Sequence, residues 1–269
     1  TELSRPSRWV PTTAGEWVIH HERPYSENGD RPILLKRENV KTKVRDTLVD
    51  PLKIDPSGKT AIYGYQLSPR GNFVVVGFRV SGSDWTRWQV YNTATLTPIG
   101  APSHGSKWET PQWTPQEEGL LFSRYPREFW DTDSKTKNQT VWFRKLGSDG
   151  SSDVEIFAPE DPSHVTFAFA SGDGKHLIYQ VRRSSDNTSK IFWVPIPADA
   201  FSTPENARKV RALPIRRVQD AFKGFMYVAK VGGRDEMLLT TTEESPRGRV
   251  IAVSLDGSGA TREVVAQQK

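Results

Sequence analysis

Residues 73–95 read FVVVGFRVSGSDWTRWQVYNTAT, and how this stretch is read decides the fold. Two runs rich in β-branched and aromatic residues flank the small polar tetrapeptide Ser81-Gly82-Ser83-Asp84. Such runs suit strands, and a short Gly-containing connection between them reads as a hairpin turn. The pair Ser83–Asp84, set beside Trp85, also looks reactive. Yet a serine nucleophile of the α/β-hydrolase type sits in G-x-S-x-G between a strand and a helix. No such pentapeptide occurs in the chain, and Ser83 lies between two strands with no downstream Gly at the required spacing. The stretch therefore predicts a hairpin with Ser83 and Asp84 at its tip.

The same order of runs recurs outward from this hairpin. The segments YGYQLSPRGNFVVVGF, TPQWTPQEEGLLFSRY, FAFASGDGKHLIYQVR and YVAKVGGRDEMLLTTT each hold a short run of small or aromatic residues, a Gly-containing polar turn, and an apolar run. The second runs begin near Phe73, Gly119, His176 and Glu236, with a similar one from Glu16 in GEWVIHHER. Steps of roughly 45–60 residues lie within or slightly above the blade length of β-propellers. A third run follows in each unit: ILLKRE, TRWQVYNT, TVWFRKLG, KIFWVPIP and GRVIAVSL. A weaker fourth run follows as KVRDTLV, VEIFAP, RKVRALPI and TREVVAQ, with only a stub around LTPIGAP in the second unit. Four strands per unit, repeated five times, predict an all-β, five-bladed β-propeller. The expected blades are roughly residues 7–50, 61–102, 107–160, 164–215 and 220–268 of a single domain, 1–269. A β-sandwich shows strands every 8–12 residues without a blade-length period. The turns Ser68-Pro69-Arg70-Gly71 and Ser171-Gly172-Asp173-Gly174 supply positive-φ residues and Ser or Asx caps, which makes Asp173 a turn residue rather than a metal ligand.

Composition narrows the function classes. The chain has 269 residues, no Cys and a formal net charge of +5. Disulfides, Cys-based zinc sites and a thiol nucleophile are excluded. No apolar run approaches the ~18 residues of a membrane span. The start TELSRPSRW carries no signal-peptide pattern and is expected to be processed or excised. The dense basic stretch ARKVRALPIRR, 207–217, alternates so that neither face of a strand is purely basic; it is expected to be a solvated edge strand, not a nucleic-acid surface. Asn138 and Asn187 head glycosylation-type triplets that carry little weight. His20 and His21 point to opposite faces of one strand, one expected packed and one solvated, so they are poor joint ligands. Walker A, Rossmann and H-E-x-x-H patterns are all missing, so no cofactor and no metal are expected. A propeller glycosidase needs paired carboxylates on its inner strands. In the inner-strand candidates SRWVP, IYGYQLS, WETPQW, VTFAFAS and FKGFMYV only Glu109 is acidic. Trp85, Trp88, Trp108, Trp113, Phe129 and Trp130 crowd one region; most are expected to pack between blades, and some to line an apolar ligand surface.

The stretches VSGSDWTRWQVYNTAT, KWETPQWTPQEEGLLFSRYP, ASGDGKHLIYQVR and EESPRGRVIAVSLDG resemble successive blades of the propeller of the prolyl oligopeptidase family of serine peptidases. The opening TELSRPSRWVPTTAGEWVIHHER and the link LVDPLKIDPSGKTAIYGYQLSPRGNF are similar to that propeller's start and its passage to the next blade. The resemblance runs in order from about Thr1 to Ala260. It implies a propeller that caps an α/β-hydrolase domain, excludes large folded proteins and helps to position short peptides. In the family the propeller has seven blades and the catalytic triad belongs to the hydrolase domain. This chain holds about five blades and no hydrolase domain, so no catalytic residues are expected and the chain is not a competent peptidase alone.

By motif, the resemblance carries over several substrate-facing candidates. Asp84 and Arg182 match charged positions on the side facing the hydrolase. Trp108 and Val165 match apolar positions near the proline pocket, where Phe and Met are usual. Ser185 matches a pocket-edge position. An ion pair between Asp84 and Arg182 that ties neighbouring blades remains the plainer alternative. Tyr63, Tyr65 and Glu109 are candidates for lining a central tunnel. Implied partners are an α/β-hydrolase domain or a short peptide, without nucleic acid or membrane, and the resemblance together with the missing Cys and signal peptide favours the cytoplasm. The alternative is a free-standing five-bladed propeller, repurposed as a small-molecule or protein binding module or as an enzyme using its tunnel. The last run, TREVVAQ, ends where a fifth blade would end, which favours a closed ring over an open arc with unpaired edges.

Overall fold

The computed structural model describes residues 7–8, 10–25, 31–132, 136–171, 173–183, 188–219, 222, 226–231, 236–256 and 258–267. The fold is all-β, with five antiparallel sheets that form the five blades of a β-propeller. Blade one holds β1 (Ser7–Arg8), β2 (Thr12–Ala14), β3 (Trp17–Arg23), β4 (Leu34–Asn39) and β5 (Arg45–Val49); β1 and β2 both pair with β3. Blade two is β6 (Thr60–Leu67), β7 (Phe73–Val80), β8 (Trp85–Asn92) and β9 (Pro98–Lys107). Blade three is β10 (Gln112–Trp113), β11 (Gly119–Arg124), β12 (Thr140–Lys145) and β13 (Val154–Phe157). Blade four is β14 (His164–Ala170), β15 (His176–Arg183), β16 (Ser189–Pro195) and β17 (Arg216–Gln219). Blade five is β18 (Met226–Val231), β19 (Glu236–Thr241), β20 (Arg249–Ser254) and β21 (Thr261–Val265). Helix α1 (Pro51–Ile54) links the first two blades and α2 (Pro204–Val210) precedes β17.

One turn device recurs between first and second strands. Ser68, Thr114 and Ser171 each use the side-chain oxygen to cap the amide five residues on, in Phe73, Gly119 and His176. Three residues after each cap the chain is left-handed, at Gly71, Glu117 and Gly174. Asp173 accepts hydrogen bonds from the Ser171 hydroxyl and the Lys175 amide, the turn role expected of it. The third-to-fourth-strand pairing of every blade carries a register shift, as at Leu35/Lys36 and Ile191/Phe192. Such bulges raise local twist and turn the outer edge away from further pairing.

Contacts divide the chain into two compact units, one of Thr1–Pro111 with Arg127–Asp133 and Leu146–Ser151, the other of Gln112–Pro126, Ser134–Lys145 and Ser152–Lys269. In the first, Ile19, Leu35, Val74, Val76 and Phe78 form the core of blades one and two. In the second, Leu121, Phe143, Leu177 and Tyr179 belong to one cluster and Ile178, Ile191, Met237 and Leu239 to another. Strand alternation sends Leu177 and Ile178 to opposite faces of β15, so one strand serves both clusters. Among the described residues, no helix is long and apolar enough to cross a membrane.

Three expectations are corrected. The stub around LTPIGAP is the start of β9, a ten-residue strand. Gln89 fastens its Gly- and Pro-containing start by donating to the carbonyls of Ile99 and Gly100. The basic stretch is not an edge strand through RKVRALPI: residues 204–210 are helical, and the outer strand of blade four is β17. Thr203 caps the Asn206 amide at 3.1 Å, Pro204 occupies the first turn, and Ala207 and Val210 bury one helical face. Lastly, His21 is not a solvated partner to a packed His20. His20 is buried, and His21 sits half-buried with its ring edge-on to Tyr65 at 5.0 Å.

Candidate functional site

Val80 to Ser83 form the hairpin tip of blade two, with the Ser83 amide donating to the Val80 carbonyl at 3.0 Å. Ser81 and Gly82 both have positive φ, 51° and 74°, the pattern of a type I′ turn. The Ser83 hydroxyl accepts from the Trp85 amide at 3.2 Å, which is a capping role. Asp84 is half exposed, and its carboxylate lies 3.8 Å from Nη1 of Arg79 on the same hairpin.

Arg79 is the organising cation of this blade end. Its guanidinium lies 3.5 Å from the centre of the Tyr63 ring, and its Nε donates to Thr86 at 3.0 Å. Nη2 is buried and has no hydrogen-bond partner among the described residues. Tyr63 is the extra residue of a bulge between Ile62 and Gly64, which turns its ring onto Arg79 and edge-on to Trp88. Sequence reasoning missed Arg79, although a lone cation in the apolar run FVVVGFRV was the signal.

Trp85 faces Lys107 across the β8–β9 ladder, and the Lys107 ammonium lies 4.2 Å from the Trp85 ring and 5.4 Å from the Trp108 ring. Trp108 is 54% exposed and holds φ at +54°. A bulky residue in the left-handed region is strained by about 1–2 kcal/mol. Trp85, Trp88 and Trp113 are buried, so Trp108 alone of these four presents its ring to solvent. Behind it, the segment after β11 clasps β8 and β9. Trp85 donates to the Thr132 carbonyl at 3.0 Å, Trp130 stacks on His104, and a Cβ on Gly105 would lie 2.2 Å from the Trp130 nitrogen. Asp84, Trp108, Arg79 and Lys107 thus gather at one end of blade two.

The other predicted residues fall elsewhere. Val165 and Arg182 are direct cross-strand partners in β14 and β15, both half-buried. Tyr65 donates to the Ile19 carbonyl at 2.9 Å and joins the core of blades one and two. Glu109 is buried. Ser185 lies outside the described residues. Among the described residues no three His, Cys, Asp or Glu groups gather as a metal site. The blade-two end presents an exposed indole and a half-exposed carboxylate, beside the buried Lys107 and the largely buried Arg79.

The sequence profile of the prolyl oligopeptidase N-terminal β-propeller domain matches residues 22–269. The chain belongs to this family. Its curated relatives include the prolyl oligopeptidase ophP of Omphalotus olearius, 25% identical over 160 residues, covering 53% of this chain and 21% of the relative. The dual function macrocyclase-peptidase POPB of Amanita bisporigera is 25% identical over 256 residues, covering 89% of this chain and 33% of the relative. The chain thus spans about a fifth to a third of the length of these relatives. Among solved structures, prolyl oligopeptidase B from Galerina marginata bound to a 25mer macrocyclization substrate superposes with a TM-score of 0.84 at 17% identity, covering 99% of this chain and 38% of that one. Oligopeptidase B from Leishmania major superposes with a TM-score of 0.70 at 13% identity, over 98% of this chain and 35% of that one. At such identities the structural likeness speaks for the fold.

Proposed function

We propose that this propeller gates and positions short peptides for an α/β-hydrolase domain of the prolyl oligopeptidase type, and contributes no catalytic group itself. The observation that carries this is the family match over residues 22–269 in a sequence without a nucleophile elbow. Asp84 and Arg182 face the hydrolase domain in this reading, and Trp108 and Val165 offer apolar contact to a bound peptide. Ser185 belongs to the edge of the same pocket, and Tyr63, Tyr65 and Glu109 lie towards the propeller's interior. Supporting it, Trp108 is an exposed ring held in a costly backbone conformation, a combination that concentrates at ligand contacts.

The test supplies a hydrolase domain of the family, fused or in trans. Association is expected, with cleavage of a short prolyl peptide and exclusion of a folded protein carrying the same sequence. Failure to associate, or equal cleavage of both substrates, would count against gating. Prolyl-peptide cleavage by the protein without any hydrolase would overturn the non-catalytic assignment. Trp108 also favours a second reading, peptide binding by the propeller in its own right. That reading requires saturable peptide binding with no hydrolase present, lost in Trp108→Gly.

A further inference from the structure

The blade-two site leaves unused a cleft in the unit that holds blades three to five. It lies between the segment leaving β13 and the outer strands of blade four, and encloses about 680 Å³ of empty space including its mouth. Its floor is apolar, with Phe157 and Val181 buried and Phe192 beside them. Ile215, 47% exposed, stands at the lip.

The rim carries both signs of charge, and each comes from a different part of the chain. Glu160 and Asp161 follow β13; Lys190 belongs to β16 and Arg217 to β17. Asp161 is fixed in place by accepting from the amide and hydroxyl of Ser163, at 2.8 and 2.7 Å. His164 Nε2 lies 3.7 Å from the Asp161 carboxylate. The Lys190 ammonium stands 5.2 Å from the centre of the Phe222 ring. A simple anion entering the cleft would meet two carboxylates, and a simple cation would meet Lys190 and Arg217. An uncharged apolar ligand would satisfy the floor and desolvate the rim without recompense. A ligand with a cationic end, an anionic end and an apolar side chain answers all three surfaces.

We infer that this cleft binds a small zwitterion with an apolar side chain, the chemistry of a free apolar α-amino acid or of a short apolar peptide. Its ammonium pairs with Glu160 and Asp161, its carboxylate with Lys190 and Arg217, and its side chain rests on Phe157 and Phe192. This does not depend on the gating reading, because none of these residues belongs to the blade-two site.

Calorimetric titration of the protein with phenylalanine, phenylalanyl-phenylalanine and N-acetylphenylalanine amide tests it. Saturable binding of one or both zwitterions is expected, with the uncharged amide weaker by tenfold or more, since charged hydrogen bonds contribute roughly that factor each. The stronger of the two zwitterions names the source. Glu160→Lys and Arg217→Glu, both at exposed positions that should leave folding intact, are each expected to weaken binding by about tenfold. Trp108→Gly should leave it unchanged. No saturable binding at about 10 mM, weaker than any useful small-ligand affinity, would overturn the inference. Equal binding of the uncharged amide, or indifference to both rim variants with unaltered thermal unfolding, would overturn it too.

Discussion

Asp153→Asn is the sharpest probe of how blade three is held together. Asp153 stands one residue before β13, and its side chain is 2% exposed. Oδ1 accepts from Nε of Arg144 at 2.8 Å. Oδ2 accepts from Arg144 Nη2 and from Arg124 Nη1, both at 2.8 Å. Arg124 also lies 3.6 Å from the centre of the Trp142 ring. Burial lowers the Arg124 pKa while the Asp153 charge works in the opposite direction. One carboxylate therefore serves two guanidinia. The amide of Asn keeps the shape but removes the charge, and it turns an N–H towards at least one guanidinium N–H.

Breaking a buried ion pair from one side costs about 3–5 kcal/mol. The two guanidinia keep 19% and 12% exposure, so water screens part of the loss. The expected cost is therefore the lower end, about 3 kcal/mol, with a melting point lowered by about 6–12 °C. Urea unfolding followed by tryptophan fluorescence measures it. Arg124→Met should cost less, because Arg144 keeps its two bonds to the carboxylate. The double variant should cost less than the sum, because each change removes a partner the other needs. A cost under about 1 kcal/mol for Asp153→Asn, or strict additivity, would show that the three side chains do not act as a unit.

Three further outcomes follow from the same geometry. Trp108→Gly removes about 1–2 kcal/mol of left-handed strain and forfeits the buried part of the ring. Its stability should stay within about 1 kcal/mol of the parent while peptide handling falls, and a loss above ~3 kcal/mol in thermal unfolding would make Trp108 a structural residue instead. His21 has its pKa lowered from 6.5, chiefly by burial and then by the neighbouring His20 charge. The unfolded chain then binds the proton more readily, so this contribution is present above the ordinary value and lost as pH falls below it. Denaturation at pH 7.5 and 5.5 should show that loss, and His21→Gln should flatten the slope; an unchanged slope refutes the assignment. Thr203→Ala removes the cap of α2 and should cost about 1 kcal/mol, read by chemical denaturation, whereas no change would mean the helix is held by Ala207 and Val210 alone.

The blades were legible because their signals are local. Capped turns at Ser68, Thr114 and Ser171 and alternating runs between them need no knowledge of distant partners. The length of β9 was not legible for the opposite reason. PIGAPSHGSK has poor strand propensity, and it pairs because Gln89 on the preceding strand and Trp130, about 25 residues beyond His104, fasten it. Helix α2 had its signals in full: Thr203 as cap, Pro204 in the first turn, and Ala207 with Val210 three apart. Over seven residues, that spacing competes with the alternation of Arg208, Val210 and Ala212, and a window this short does not separate the two periods.

The site was half legible, and the missing half changes what the hairpin means. Sequence motifs pointed to Asp84 and Trp108, but no pattern in the chain ties Asp84 to Arg79 or Trp85 to Lys107. Both pairings arise from strand register and the I′ turn, which sequence fixes only through the fold. Ser83 spends its hydroxyl on the Trp85 amide, so the residue that looked most reactive keeps the hairpin tight. Asp84 does not stand as an isolated acid awaiting a substrate; an arginine of its own hairpin lies beside it. Under the proposed gating role, removing that arginine should therefore weaken peptide binding more than removing the aspartate. Without Asp84 the guanidinium still lies against Tyr63 and bonds to Thr86, whereas without Arg79 the carboxylate loses the only cation that β7 and β8 place within 4 Å of it.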